Sequence, residues 1–115
     1  MKIERESLKS FEFFGLEIRD YTVGLEGSAS MAEIMVPAGT RHERAWSKRS
    51  DKYYYVIEGR LSFIVDKQVL NISSGDVCLI HQGTRFSYEN QTGETAKLLV
   101  VHTPSFELAE EIFEE

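Results

Sequence analysis

An all-β domain, closed into a barrel or folded into a sandwich, is what the sequence predicts. Three observations carry this. Apolar and aromatic residues fall in short runs with strand-like alternation. Turn residues interrupt these runs at intervals of roughly eight to twelve residues. Only residues 106–115 space their apolar side chains as a helix would.

Residues 21–25 and 31–36 read as the first strands, and Pro37-Ala38-Gly39 ends the second. Residues 53–57 and 61–65 are β-branched and aromatic. Between them Glu58-Gly59-Arg60 carries a hairpin signal, with glycine where unusual dihedrals are expected. Asp66-Lys67-Gln68 turns into a strand at residues 69–72, which ends in the turn Ser73-Ser74-Gly75-Asp76. Residues 77–81 make a short apolar strand, Gln82-Gly83-Thr84 breaks it, and residues 86–90 follow. Gln91-Thr92-Gly93-Glu94 leads into a strand at residues 96–102. The tail is expected to form a short C-terminal helix lying on the barrel, with Leu108, Ile112 and Phe113 as its apolar stripe. No linker, repeat or low-complexity stretch divides the chain. One domain is expected over residues 1–115, with its barrel core at about residues 20–105.

The chain has 115 residues, enough for one real core. Hydrophobic residues make up 42% and charged residues 28%, as in soluble globular proteins. Lys and Arg number 13 against 19 Asp and Glu, a net charge of -6. Such a balance argues against binding nucleic acid through its phosphates, which needs a basic face. The single cysteine, Cys78, precludes an internal disulfide and suits a reducing cytosol. Apolar runs such as Leu98-Leu99-Val100-Val101 are too short to span a bilayer, and Met1 to Glu6 lacks the apolar core of a signal peptide. A cytoplasmic protein with neither membrane nor nucleic-acid partner is expected.

Two segments carry a recognisable pattern. Residues 39–59 run from Gly39 to the sequence Tyr55-Val56-Ile57-Glu58-Gly59, and residues 75–90 run from Gly75 through Gly83 to Asn90. They resemble the paired motifs of the cupin family, G-x5-H-x-H-x4-E-x6-G and G-x5-P-x-G-x2-H-x3-N, with the glycine spacing kept. The likeness covers about residues 20–105. It implies a cupin double-stranded β-helix, a jelly-roll-type barrel without open sheet edges.

The resemblance also implies where a metal would sit. The family holds its ion with three histidines and one glutamate, and the spacing places those positions at Ala45, Ser47, Lys52 and Phe86. None is a competent ligand, and a protonated lysine repels a cation. No metal and no cofactor is therefore expected. His42, His81 and His102 lie on separated segments without metal-binding spacing; they read as surface or loop residues, with an unorthodox metal site as the alternative. His102 ends a strand near the expected barrel mouth.

If the former ligand positions point inward, alternation places Glu43, Ala45 and Ser47 on one wall. Lys52, Tyr54 and Val56 form another, and Phe86, Tyr88 and Asn90 a third. The expected ligand-binding set is Glu43, Ser47, Lys52, Tyr54, Phe86, Tyr88, Asn90 and His102, an apolar cup with a few polar groups. Its aromatic rings would stack on a planar or sugar ring, and Glu43 and Asn90 would meet hydroxyls. Lys52 would bind an anion, act as a base or Schiff-base amine if desolvated, or serve structurally, paired with Asp51 or Glu43 or reaching solvent at the rim. Arg41, Arg44, Lys48 and Arg49 make the first-motif loop basic, either simply solvated or capturing an anion at the mouth. Trp46 should face outward, under a partner subunit or the N-terminal segment.

Three functions fit. One is metal-independent binding of a small polar ligand, sugar-like or anionic. The second is a metal-free sugar epimerase or isomerase, with Tyr54 or Tyr88 and His102 or Glu43 as its acid and base. The third is a non-catalytic dimeric regulatory or structural domain whose own aromatics fill the barrel. A homodimer is expected, with Phe11, Phe13, Phe14 and Trp46 as candidate anchors.

Overall fold

The computed structural model describes residues 1–25 and 27–114. Among them the strands are β1 (Phe11–Phe13), β2 (Leu16–Asp20), β3 (Ser30–Val36), β4 (Arg41–Ser47), β5 (Asp51–Glu58), β6 (Arg60–Val65), β7 (Gln68–Ser73), β8 (Val77–Ile80), β9 (Phe86–Glu89), β10 (Ala96–Thr103) and β11 (Glu111–Glu114). They form two antiparallel sheets, ordered β1-β2-β3-β10-β5-β8 and β11-β4-β9-β6-β7.

The strands follow from a period of two. Along β10 the buried residues are Ala96, Leu98, Val100 and His102; along β5 they are Lys52, Tyr54 and Val56. Every second side chain thus faces the opposing sheet. Val36, Val56 and Leu98 from one sheet meet Leu61, Phe63 and Phe86 from the other, all essentially inaccessible. Each such residue contributes about 1.5–3 kcal/mol through burial. Tyr54, Phe63 and Tyr88 join across the two sheets with ring centroids 4.9–5.4 Å apart. This aromatic layer fills the middle of the barrel.

Four features differ from the sequence reading. Residues 21–25 are not a strand: Tyr21 to Gly24 form a turn, and the strand lies just before it as β2. Asp20 Oδ1 accepts the Thr22 N–H at 2.9 Å, and this local bond ends the ladder. Upstream, Phe14 and Gly15 both take positive φ, 49° and 87°, making the two-residue turn that joins β1 to β2.

Glu58-Gly59-Arg60 is a corner rather than a hairpin. β5 pairs with β10 and β8, whereas β6 pairs with β7 and β9 in the other sheet. Gly59 has the expected positive φ of 87°, and a Cβ there would lie 3.1 Å from Ala96 Cα. Crossing between sheets lets Tyr54 and Phe63 bury against each other, 5.3 Å between centroids.

The C-terminal helix is replaced by a single 3-10 turn, Leu108–Glu110, and the strand β11. A segment this short gains little as a helix, whereas the edge of β4 offers a full ladder. Glu111 pairs with Ser47 and Ile112 with Trp46. The ordered sheets therefore reach from Phe11 to Glu114, beyond the expected core at either end.

The fourth difference is at β4, where His42 pairs with Tyr88 and Ala45 with Phe86. Glu43 and Arg44 together oppose one residue, a β-bulge. Alternation shifts by one place here, so His42 faces the interior and Glu43 does not.

Candidate functional site

The aromatic layer leaves space at one end of the barrel, a cavity of about 220 Å³. Its apolar wall includes Leu16, Ile18, Ile34 and Val100 from the first sheet. Phe11 and Phe13 of β1 close one side, and Phe106, Leu108 and Phe113 from the C-terminal stretch close the other. The polar lining includes Asp20, His42, Lys52, Tyr54, His102 and Glu111. Phe86 lies beneath the cavity rather than plugging it, buried against His42 at 5.2 Å.

Lys52 is the centre of the polar floor. Its Nζ is 2.5 Å from Glu111 Oε1 and 2.9 Å from His102 Nε2. The side chains of Lys52 and Glu111 are 4% and 3% exposed, so the pair is dry. Burial pulls the lysine below its ordinary range, and the Glu111 carboxylate opposes that shift. The Phe86 and Phe106 rings flank the ammonium at 5.6 and 5.7 Å. Because His102 Nε2 accepts a hydrogen bond from the ammonium, this imidazole is neutral, with its own proton on Nδ1. Burial and the Lys52 charge hold its pKa down to about 3.

His42 is the second imidazole. Its Nδ1 donates to the Glu43 carbonyl at 2.6 Å, leaving Nε2 as an unprotonated acceptor. Burial lowers its pKa to about 4, and its ring stacks on Tyr88 at 4.9 Å. Burial raises both Tyr54 and Tyr88 above the ordinary tyrosine range. The Tyr88 hydroxyl and Glu111 Oε2 are buried without a hydrogen-bond partner.

The expected site residues separate into two groups. Lys52, Tyr54 and His102 line the cavity, and Tyr88 and Phe86 support it from below. Glu43, Ser47 and Asn90 do not line it. The bulge turns Glu43 away, and Ser47 Oγ accepts the Arg49 and Ser50 N–H groups. Asn90 Nδ2 donates to the Val36 and Glu94 carbonyls, while its Oδ1 accepts from Thr92. Both side chains are spent on the backbone. Lys52 pairs with neither Asp51 nor Glu43; Asp51 instead accepts the Gln82 N–H.

His42 and His102 are interior rather than surface residues, and only His81 is exposed. Phe11 and Phe13 belong to the cavity wall, while Phe14 stays 71% exposed. Trp46 is half-buried, with the Arg85 guanidinium 4.4 Å from its ring. The basic loop is met by the acidic tail: Arg44 lies 3.4 Å from Glu114, and Arg49 lies 3.7 Å from Glu107.

The positions implied for a metal do not fit one. Ala45 and Phe86 have no donor atom, Ser47 is engaged, and an ammonium stands at Lys52. Among the described residues no cluster of three or more His, Cys, Asp or Glu is arranged to hold a metal ion.

Comparison with known proteins agrees with this architecture. The family described as the cupin domain matches residues 32–102. An uncharacterized protein of Methanocaldococcus jannaschii is 29% identical over 77 residues, 67% of this chain and 62% of that protein. The match thus spans less than two thirds of that relative. Among solved structures, a Streptomyces Pac13 variant with uridine superposes with a TM-score of 0.86 at 20% identity, covering 99% of this chain and 90% of that one. Another structure of Pac13, described as a nucleoside dehydratase, gives 0.87 at 20% identity over 100% and 91%. A sugar phosphate isomerase from Silicibacter pomeroyi gives 0.77 at 19% identity over 90% and 75%. At these identities the likeness is one of fold.

Proposed function

The chain belongs to the cupin family, and from that premise we propose that it binds a small, ring-bearing polar molecule in the barrel cavity without a metal. The observation that carries this is the dry Lys52–Glu111–His102 cluster at the base of an otherwise apolar cup. Apolar walls with a few convergent polar groups are the usual form of a small-molecule site. The binding set is Lys52, Tyr54 and His102, as read from sequence, with His42 and Glu111 added. Phe86 and Tyr88 act as the shelf beneath.

One observation favours turnover over simple binding. His42 holds a neutral imidazole with Nε2 unprotonated, stacked on Tyr88 at 4.9 Å, and Tyr54 lines the same cavity. A base beside two phenols is an acid–base set. In Pac13, uridine is bound in variants that replace a histidine or either of two tyrosines. The same residue types converge here, which supports a metal-free reaction on a nucleoside- or sugar-like substrate. Partly exposed Tyr53, Tyr55, Val77 and Leu79 on the outer face of the first sheet support a homodimer. The buried, unpaired Cys78 suits a reducing cytoplasm.

Thermal denaturation in the presence of millimolar nucleosides and monosaccharides tests the reading. A ligand at 100 times its Kd stabilises the fold by about 2.7 kcal/mol, a clear rise in Tm. No rise with any compound of that panel overturns it.

A further inference from the structure

The neighbours in fold divide on one chemical point: one is solved with an unphosphorylated nucleoside, and another acts on a sugar phosphate. We infer that the cavity selects an uncharged, hydroxyl-bearing ligand and rejects its phosphorylated counterpart, because Lys52 and Glu111 together present one donor and one acceptor with no net charge. This rests on the cavity being the ligand site.

The charges come first. Among the described residues, the charged ones lining the cavity are Lys52, Glu111 and Asp20: one cation against two carboxylates. Both lining histidines are neutral. Lys52 is already paired to Glu111 at 2.5 Å. An entering phosphate would face an ion pair already closed and an excess of carboxylate, and its desolvation would go uncompensated. An entering cation would meet the ammonium, while Asp20 Oδ1 is engaged by the Thr22 N–H and hydroxyl at 2.9 and 3.2 Å.

Hydrogen-bond stoichiometry then picks the complementary group. An ammonium has three N–H donors, and Lys52 spends two, on Glu111 Oε1 and His102 Nε2. One donor remains. Glu111 Oε2 is a buried acceptor with no partner, on a residue that lines the cavity. Donor and acceptor belong to one ion pair, the complement of an alcohol, which accepts through its oxygen and donates its proton. A phosphate dianion or a carbonyl only accepts, and either would leave Glu111 Oε2 unmatched. A site built to bond an O–H discriminates strongly against a ligand that sets an acceptor-only group, such as a phosphate, in that place.

The experiment is calorimetric titration of matched pairs: uridine against uridine 5′-monophosphate, and glucose against glucose 6-phosphate. In any pair that binds, the uncharged member is expected to bind at least about tenfold tighter, about 1.4 kcal/mol. Equal or tighter binding of the phosphorylated member overturns the inference while leaving the cavity as the site. Binding by no member of either pair overturns the inference and the proposed function together. Glu111→Gln leaves the Lys52 charge unbalanced, so the preference should narrow or reverse; an unchanged preference counts against the inference. Should that variant fold poorly, Lys52→Met with Glu111→Gln removes both charges at similar volume. Its uncharged-ligand affinity is expected to fall at least about tenfold, and undiminished affinity overturns the inference.

Discussion

Lys52 Nζ and Glu111 Oε1 lie 2.5 Å apart, although 59 residues separate them in the chain. β5 supplies the cation and β11 the carboxylate, one from each sheet. The pair bridges the barrel at the floor of its cavity, so two distant parts of the sequence meet in a single buried contact.

Breaking that contact from one side is expected to be costly. Lys52→Met or Glu111→Gln alone strands a buried polar partner, and each should lose about 3–5 kcal/mol. The double variant should regain most of the loss, because no unpaired charge remains. Urea denaturation of the three variants measures this. Additive losses would show that the two side chains act independently.

Stability should fall on mild acidification. His42 and His102 have folded pKa values near 4 and 3, both depressed by burial, against about 6.5 in the unfolded chain. A depressed folded value means the unfolded chain takes up protons first. The histidine contribution is therefore complete above pH 6.5 and declines as the pH falls toward those values. The slope reaches at most about 1.4 kcal/mol per pH unit for each histidine. Glu33, held low by Arg5, adds a loss in the same direction through the carboxylate range. Denaturation midpoints between pH 8 and pH 5 test this, and His102→Gln should flatten the profile.

Asn90 is expected to behave as a structural residue. Asn90→Asp replaces an amide that donates to two carbonyls with a group that can only accept. A loss of about 2–4 kcal/mol should follow, from two stranded acceptors. Ligand affinity measured on the protein that remains folded should not change.

Tyr88→Phe should separate stability from function. The hydroxyl is buried and unpartnered, so its removal should leave stability unchanged or raise it by about 1 kcal/mol. Lost turnover or binding in a variant of undiminished stability would mark the hydroxyl as a working group. Lost stability would show that it has a partner in the fold.

The barrel was legible because its strands bury alternate residues between turns that glycine and aspartate mark. The crossing of β5 to β6 was not: Gly59 signals a reversal, and a hairpin and a sheet-to-sheet corner need the same positive φ. The β1–β2 turn was hidden because Phe14, not asparagine or aspartate, takes its first left-handed position. At the site, Lys52, Tyr54 and His102 follow from alternation. His42 does not, because a bulge has no one-residue signature and changes which of two neighbours faces inward. Glu111 was missed because a glutamate-rich tail has the pattern of a solvated helix. Only the open edge of β4 makes it a strand, and that edge exists only in the folded chain.

The covering of Trp46 has an optical consequence. It is the chain's sole tryptophan, it stands opposite Ile112 of β11, and the Arg85 guanidinium lies over its ring. Its fluorescence therefore reports on the strand that delivers Glu111. Emission should move to the red as β11 detaches from β4, providing a label-free signal for the assembly of the cavity floor.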